Sequence, residues 1–196
     1  MAQPHLSPRE PLMVSFLLIA KFDPWNNPLC TCPPKYSLSP YTGCGHHCLY
    51  CYITSYIRDG FKPRAKKDAL NRLIRDIRKI DRDLPVSMSN SSDPYPPIES
   101  RLGLTASILK ILVEAGIKVQ IITKSSLLLR DLDMIRRGNV SVSITITTLS
   151  NQLAKVLEPA APPPNERLKT INILTRAGIP CSARTVSYTH LTLPTN

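Results

Sequence analysis

A loop with three cysteines is the stretch of this chain best equipped for chemistry. Cys44, Cys48 and Cys51 are separated by three and then two residues, and the loop follows the turn-forming residues 40–43. Three thiolates can ligate three irons of a cubane iron–sulfur cluster and leave its fourth iron without a protein ligand. An open metal position is a place for chemistry, as at a catalytic zinc. The spacing therefore indicates a metal centre with one free coordination site.

Two histidines in the same loop leave a second interpretation open. His46 or His47 would complete a zinc site of the Cys3His type together with the three cysteines. With a net charge of +11, such a site would indicate a basic nucleic-acid-binding module without catalysis. Zinc modules of this kind are usually small and self-contained, whereas this loop opens a longer α/β pattern. An enzyme that uses the free coordination site of an iron–sulfur cluster is therefore the preferred interpretation, and the zinc module is the alternative.

The segments around the loop predict an α/β fold with a parallel sheet. Short apolar or β-branched segments alternate with stretches of helical periodicity, and the alternation favours right-handed crossovers. The predicted strands are 36–39, 86–89, 118–124, 140–147 and the segment starting at 179. The predicted helices are about 65–80, 105–115, 126–137 with Ser126 as its cap, and one starting at Pro164 or Asn165.

Polar residues directly follow three of these strands. The cysteine loop follows the first strand, Ser92 and Asp93 follow the second, and Lys124 ends the third. The carboxyl ends of parallel strands lie on one rim, where active sites gather in such sheets. The sequence therefore predicts that the loop, Ser92, Asp93 and Lys124 meet at one site.

Composition bounds the class of protein and its partners. A chain of 196 residues with 42% hydrophobic content is long enough for one sizeable core. The apolar run Leu12–Ala20 is too short to span a membrane and makes a poor signal peptide, so no membrane partner is expected. Clustered cysteines without an export signal indicate metal ligands in a reducing cytoplasm. The positive charge favours a polyanionic partner, with nucleic acid as one candidate.

The chain divides into three predicted parts. Residues 1–35 form an N-terminal extension, in which Cys30 and Cys32 have no assigned role. Residues 36–184 form the core domain. Residues 185–196 are predicted to be a non-native tail, because Val186–Asn196 resembles the in-frame translation of a transposase adapter used in sequencing libraries. A threonine-rich strand is the alternative for this segment.

The string LSPYTGCGHHCLYCY at 38–52, with Tyr50 before the third cysteine, resembles the signature of the radical S-adenosylmethionine (SAM) enzymes. It is most similar to the spore photoproduct lyase-like, or DNA repair photolyase-like, branch of that superfamily. The segments 93–99, 122–125 and 157–159 are similar to later motifs of the same branch. The resemblance covers about 36–184 and implies a partial (β/α) barrel with about its first five strands, too few to close.

The resemblance also implies cofactors and a reaction. Cys44, Cys48 and Cys51 would ligate a [4Fe–4S] cluster, and the amine and carboxylate of SAM would chelate the free iron. One electron would then cleave SAM to methionine and a 5′-deoxyadenosyl radical that abstracts a substrate hydrogen. An external donor such as flavodoxin or ferredoxin is implied, and the substrate is open, with a nucleic-acid lesion as one candidate. Because Cys181 is a poor substitute for the hydrogen-donating cysteine of spore photoproduct lyases, the fragment is not expected to turn over its own substrate.

SAM needs counter-groups on the rim for its ammonium and its carboxylate. Lys124 suits the carboxylate, whereas Ser92 or Asp93 suits the amine or its surroundings. Tyr50 is expected to pack near the cluster or the adenine. Glu99, further along the loop that begins at Ser92, is a second acidic candidate for the amine. No catalytic residue is assigned beyond the cluster ligands.

Overall fold

The structure is a computed structural model that describes residues 17–22, 33–88 and 92–185. Its strands are β1 (Ile19–Lys21), β2 (Tyr36–Leu38), β3 (Tyr41–Thr42), β4 (Arg64–Ala65), β5 (Val86–Met88), β6 (Val119–Thr123), β7 (Val140–Thr145) and β8 (Cys181–Arg184). Its helices are α1 (Ala69–Ile77), α2 (Glu99–Leu102), α3 (Leu104–Glu114), α4 (Leu132–Arg137), α5 (Asn151–Leu157) and α6 (Pro164–Arg176). Tyr52–Ser55 and Ser126–Asp131 are 3₁₀ helices.

One sheet organises the chain, with its strands in the order β1-β2-β5-β6-β7-β8. The five strands from β2 to β8 run parallel, as the alternation of strands and helices predicted. β1 adds an antiparallel strand at one edge, with Ile19 opposite Leu38. β3 and β4 form a separate two-stranded ribbon next to the cysteine loop. The α/β class with an open, mostly parallel sheet is confirmed.

The two faces of the sheet differ in character. One face carries the apolar core, in which Leu38, Met88 and Ile121 are fully buried and belong to one cluster with the apolar side chains of α1 and α3. Because side chains alternate along a strand, the intervening residues lie on the other face. That face is polar: Ser87 donates to the Gln120 amide oxygen at 3.2 Å, and the hydroxyls of Ser143 and Ser182 lie 2.9 Å apart.

Two helix starts differ from the prediction. α1 begins at Ala69, later than predicted, because Arg64 and Ala65 pair with β3 as β4. The predicted cap Ser126 is wrong: the preceding Ser125 is the cap, and its Oγ accepts the N–H of Leu127 at 3.2 Å. The segment that follows is a 3₁₀ helix up to Asp131 and becomes α-helical only in α4.

α5 was not predicted from the sequence. It has seven residues, too few for the apolar positions Leu153, Ala154 and Leu157 to establish a helical period. Ser150 caps it by accepting the N–H of Leu153 at 3.3 Å.

Some predictions fall on residues that the structure does not describe. These are Cys30, Cys32, most of the extension 1–35 and all of the tail 185–196 after its first residue. Within the described ranges, no helix is long and apolar enough to cross a membrane.

Candidate functional site

The cysteine loop is held at both of its ends by backbone contacts. Gly43 enters the loop at φ +85°, and a Cβ there would meet the Lys62 carbonyl oxygen at 2.8 Å, so the position requires glycine. The N–H of Cys44 donates to the Gly60 carbonyl at 2.8 Å. Further along, the N–H of Leu49 donates to the Leu157 carbonyl at 2.9 Å. The loop is therefore fastened to the segment before β4 and to the end of α5.

All three cysteines of the loop are free thiols. Cys48 is buried, and Cys44 and Cys51 are half-buried. Burial, followed by the charge of Asp93, raises the pKa of Cys44 to about 11, and burial also raises the pKa of Cys48. A bare thiolate is thus disfavoured, and bound iron would supply the positive charge that it needs. In the part of the chain that the structure describes, no three His, Cys, Asp or Glu side chains are grouped closely enough to hold a metal ion.

Both histidines of the loop already have partners. His46 is 2% exposed, and its Nδ1 lies 3.5 Å from Oδ2 of Asp93. Burial lowers the pKa of His46, although the charge of Asp93 acts in the opposite direction. His47 stacks on Phe61 with ring centroids 5.0 Å apart. A zinc site of the Cys3His type would have to break one of these contacts.

Asp93 ties the ends of two strands to the cysteine loop. Its Oδ1 accepts the N–H of Tyr95 at 2.9 Å and the hydroxyl of Thr123 at 2.5 Å. Its Oδ2 accepts the N–H of Lys124 at 2.8 Å and faces His46. These contacts make Asp93 a positioning residue of the rim, and its predicted contact with the SAM amine stays a prediction.

Two buried hydroxyls on this rim lack partners. Ser92 follows β5, is 4% exposed, and its Oγ finds no hydrogen-bond partner among the described residues. Thr147, which follows β7, is also 4% exposed, and its Oγ1 likewise has no hydrogen-bond partner among the described residues. It was not predicted as a site residue from the sequence. A buried polar atom without a partner costs about 1–3 kcal/mol. Among the described residues both hydroxyls are left free for a ligand, and the predicted contact of Ser92 with SAM stays a prediction.

Tyr50 and Lys124, both predicted site residues, meet at one buried carboxylate. The Tyr50 hydroxyl donates to Oε1 of Glu158, and Lys124 Nζ lies 3.8 Å from the same oxygen. Lys124 Nζ also lies 5.7 Å from the centroid of the Tyr50 ring. Burial alone would raise the pKa of Glu158, but the Tyr50 hydrogen bond and the charges of Arg167 and Lys124 outweigh it and lower that pKa. Glu158 is therefore a carboxylate near neutral pH.

Arg167 completes this arrangement from α6. Its Nη2 lies 2.6 Å from Oε2 of Glu158, and both side chains are 1% exposed or less. Its Nε donates to the Pro162 carbonyl at 2.6 Å and its Nη1 to the Thr145 carbonyl at 3.1 Å. No role was predicted for Arg167 from the sequence, because a charged helix residue is ordinarily solvated. Glu158 lies within 157–159, a segment noted only for its resemblance.

Glu99, the second acidic candidate, belongs to a different cluster. Its carboxylate accepts the Tyr41 hydroxyl and the N–H of Thr105 and forms a 2.7 Å ion pair with Arg130. Arg130 also pairs with Asp131 at 2.8 Å, and the Tyr95 hydroxyl donates to Asp131 at 3.1 Å. We call these residues the Glu99 network: Tyr41, Tyr95, Glu99, Arg130 and Asp131. Protein donors occupy both oxygens of Glu99, so its role here is structural.

Comparisons with known proteins identify the family. Residues 38–195 match the Radical SAM superfamily, and the chain belongs to it. It is 32% identical over 152 residues to an uncharacterized protein of Methanocaldococcus jannaschii, covering 74% of this chain and 57% of that protein. It is 30% identical over 164 residues to an uncharacterized protein of Mycobacterium tuberculosis, covering 76% and 48%. The chain spans about half the length of the curated relatives it matches.

Solved structures agree on the fold. A spore photoproduct lyase complexed with dinucleoside spore photoproduct matches with a TM-score of 0.58 and 21% identity, over 76% of this chain and 44% of that one. A mutant of spore photoproduct lyase with bound AdoMet and the same dinucleoside has a TM-score of 0.59, 21% identity and the same coverage. The predicted fold, an open partial (β/α) barrel of the radical SAM type, is confirmed.

Proposed function

We propose that the chain holds a [4Fe–4S] cluster on Cys44, Cys48 and Cys51 and binds SAM beside it. The observation that carries the proposal is the cysteine loop itself. It places three free thiols at the carboxyl rim of the sheet, and both neighbouring imidazoles are engaged elsewhere. When bound, such a cluster supplies the electron that cleaves SAM to methionine and a 5′-deoxyadenosyl radical.

The donor set suits a cubane cluster better than a single zinc ion. Each thiolate of a cubane binds a different iron, so the sulfurs need not converge on one point. A zinc ion needs four ligands around one centre, and the described residues offer no such group. The unfavourable ionisation of Cys44 and Cys48 would be reversed by the iron charge.

The surrounding residues would bind and orient SAM. Lys124, whose side chain is 17% exposed, would pair with the carboxylate, and the unpartnered hydroxyl of Ser92 would bind the amine. The Tyr50 ring lies beside Lys124 and would shield the site from water. Asp93 would act through its neighbours, since it fixes the Lys124 backbone.

The substrate proposal is broader, because the chain covers about half of its relatives. A lyase-like reaction on a nucleic-acid lesion is the first candidate, favoured by the net charge of +11 and by the fold neighbour that holds a dinucleoside spore photoproduct. An external electron donor and a cytoplasmic location complete the proposal.

Anaerobic reconstitution with iron and sulfide tests the cluster. We expect a brown, oxygen-sensitive chain carrying about four irons, consistent with one cubane. Single Cys→Ser variants at 44, 48 and 51 should lose the colour, whereas Cys181→Ser, a thiol on β8, should keep it. Colourless protein with stoichiometric zinc after anaerobic preparation would refute the proposal.

Production of methionine and 5′-deoxyadenosine from SAM with dithionite as the reductant tests the reaction. Lys124→Met and Ser92→Ala should weaken SAM binding, whereas Lys169→Met, at an exposed position of α6, should not. If the Lys124 and Lys169 variants changed SAM binding equally, Lys124 would not be a SAM-binding residue.

A further inference from the structure

We propose that a cationic cavity beside the edge strand β1 binds a small ligand that carries a diphosphate group. The cavity has a volume of about 870 Å³ and lies where β1 begins, β2 ends and α1 starts. We call it the β1 cavity. Among the described residues, none that is assigned to the cluster or to SAM lines it. The inference therefore goes beyond the proposed function and needs neither of those groups.

Five cations line the β1 cavity: Arg64, Lys66, Lys67, Arg72 and Arg75. The carboxylate that lines it with them is that of Asp68. Arg72 and Arg75 have partners of their own, such as the buried Asp76 at 3.3 Å from Arg75, so they add positive potential rather than free donors. Such a lining favours a multiply charged anion.

Arg64 is fixed without a carboxylate partner in the described part of the chain. Its guanidinium donates to backbone carbonyls, among them those of Arg58 at 3.0 Å and Lys62 at 3.1 Å. These contacts hold the side chain in place and leave its charge without a counter-ion. Arg64 therefore contributes a positioned positive charge to the wall of the cavity.

Lys66 is the cation that gains most from a bound anion. It is half-buried, and within the described ranges its ammonium forms no ion pair and no hydrogen bond. The backbone N–H of Lys66 donates to the Pro40 carbonyl at 3.0 Å, which fixes the residue. Burial, followed by the charge of Arg72, lowers the pKa of Lys66. A bound anion would supply the missing counter-charge and offset both effects.

The cavity also offers neutral donors. Ser39 is 6% exposed and lines the cavity, and its hydroxyl has no hydrogen-bond partner among the described residues. A buried hydroxyl without a partner is costly, so a ligand that pairs with it is favoured. Thr42, at the end of β3, adds a second hydroxyl to the lining. Hydroxyls of serine and threonine are ordinary donors to phosphate oxygens.

The start of α1 adds backbone donors at the same place. Asp68 and Arg72, which bracket the first turn of this nine-residue helix, both line the cavity. No side chain caps the helix, and its first turn holds no acidic residue. The Asp68 carboxylate instead accepts the side-chain amide of Asn71 at 2.6 Å. The first-turn N–H groups and the positive end of the helix dipole thus favour an anion here.

The lining favours a compact phosphate ligand over a nucleic-acid strand. Proteins that hold single strands stack the bases on aromatic rings, and no aromatic side chain of the described chain lines this cavity. One phosphate group carries about −1.5 to −2 charge near pH 7, so two phosphate groups balance Arg64, Lys66 and Lys67 better than one. Leu17 and Ala20, also in the lining, suit an organic group on the diphosphate.

Calorimetric titration with inorganic pyrophosphate tests the site on the full 196-residue chain without metal. We expect one pyrophosphate per chain, with an affinity that falls as salt is added. The double variant Lys66→Met/Lys67→Met should weaken binding about tenfold or more, because it removes two charge-assisted contacts. The matched control Arg78→Met/Lys79→Met removes two exposed cations outside the cavity and should keep the affinity of the parent.

The variant Ser39→Ala separates ligand binding from stability. It should weaken pyrophosphate binding and leave the urea midpoint unchanged, because within the described chain this hydroxyl has no hydrogen bond to lose. A lower midpoint with unchanged binding would show a purely structural serine and contradict its place in the site.

ADP and SAM identify the source of the diphosphate and the separateness of the site. Tighter binding of ADP than of pyrophosphate would assign the site to a nucleotide, and equal or weaker binding would assign it to free diphosphate; both results support the proposal. SAM should not displace pyrophosphate from the reconstituted chain. Because the first titration uses metal-free protein, failure of cluster assembly would overturn the proposed function without affecting this test.

Four results would overturn the proposal. These are the absence of saturable pyrophosphate binding, equal losses of affinity in the lysine double variant and its control, displacement of pyrophosphate by SAM, and tighter binding of a short single-stranded DNA through the same two lysines.

Discussion

The buried pair between Glu158 and Arg167 allows the sharpest test of how the site is held. We choose Arg167→Met, which keeps much of the apolar stem of the side chain and removes the guanidinium group with its charge and its donors. The variant leaves Glu158 buried with Tyr50 and Lys124 as its remaining partners. It also removes the donors to the carbonyls of Pro162 and Thr145.

The magnitude follows from the burial of both groups. Removing one partner of a buried ion pair costs about 3–5 kcal/mol, because the other charge stays buried and loses its counter-ion. The remaining contacts of Glu158 place the loss at the lower end, about 3 kcal/mol. Glu158→Gln, which strands Arg167 instead, should cost a similar amount. The double variant should recover about 2 kcal/mol relative to the sum of the single variants, since neither charge is then buried alone.

Urea unfolding of the three variants, followed by circular dichroism, measures these differences at constant m-value. Lys169→Met on the exposed side of α6 is the control, and it should lie within about 0.5 kcal/mol of the parent. A loss below about 1 kcal/mol for Arg167→Met would contradict the argument. So would single-variant losses that simply add in the double variant.

Three further predictions concern the same region. Gly43→Ala should destabilise the chain by more than about 2 kcal/mol in urea unfolding and prevent cluster assembly, because the new Cβ meets the Lys62 carbonyl oxygen at 2.8 Å. The control Gly103→Ala, at φ +60° with nothing within 4 Å of the new Cβ, should cost only about 1 kcal/mol. Equal losses of stability in the two variants would contradict the steric explanation. Asp93→Ala should cost about 2–5 kcal/mol by leaving the Thr123 hydroxyl and the Lys124 N–H without an acceptor. Asp93→Asn should recover only part of that loss, because its single amide oxygen replaces one of two accepting oxygens. An alanine variant as stable as the parent would contradict the rim contacts. Because the pKa of Glu158 is lowered from 4.5, the stability that its carboxylate contributes to the fold is complete above that pH and is lost as the pH falls through the folded-state pKa. Urea midpoints measured from pH 7 to 3 should therefore fall less steeply for Glu158→Gln than for the parent. Parallel curves would exclude this carboxylate as a source of the acid sensitivity.

The parallel sheet and the rim could be predicted because both depend on order along the chain. Alternating strands and helices fix the direction of the strands, and that direction puts the residues after β5 and β6 at one edge. Ser92, Asp93 and Lys124 were assigned to this edge in this way, and their contact with SAM stays a prediction. The contacts of Asp93 with Thr123 and His46 needed coordinates, because a carboxylate after a strand has several donors within reach.

Other parts of the site depend on packing between distant segments, which local sequence patterns do not predict. Arg167 is buried only because α5 and α6 bring Glu158 over the end of β7. α1 starts later than its periodicity indicates, because Arg64 and Ala65 pair with residues more than twenty positions earlier. The charge and position of Glu99 predicted a contact with the SAM amine, but its carboxylate oxygens pair with Arg130 and accept the Tyr41 hydroxyl.

The Glu99 network has a consequence for the order in which the protein matures. Its buried hydrogen bonds and ion pairs join the loop after β5 to α3 and the segment before α4 without using any of the three cysteines. The scaffold should therefore fold before the metal arrives, unlike a zinc finger, which is unfolded without its ion. The cysteine loop contains no helix or strand and is attached by isolated backbone hydrogen bonds and by the contacts of His46 and Tyr50, so it can open locally while the scaffold stays closed. Iron would then be inserted late, into a scaffold that has already folded. Hydrogen exchange on the metal-free chain should show protected amides at Thr105 and Ala106 and rapid exchange at Cys44 and Leu49; uniform exchange across both regions would mean that folding and loading occur together.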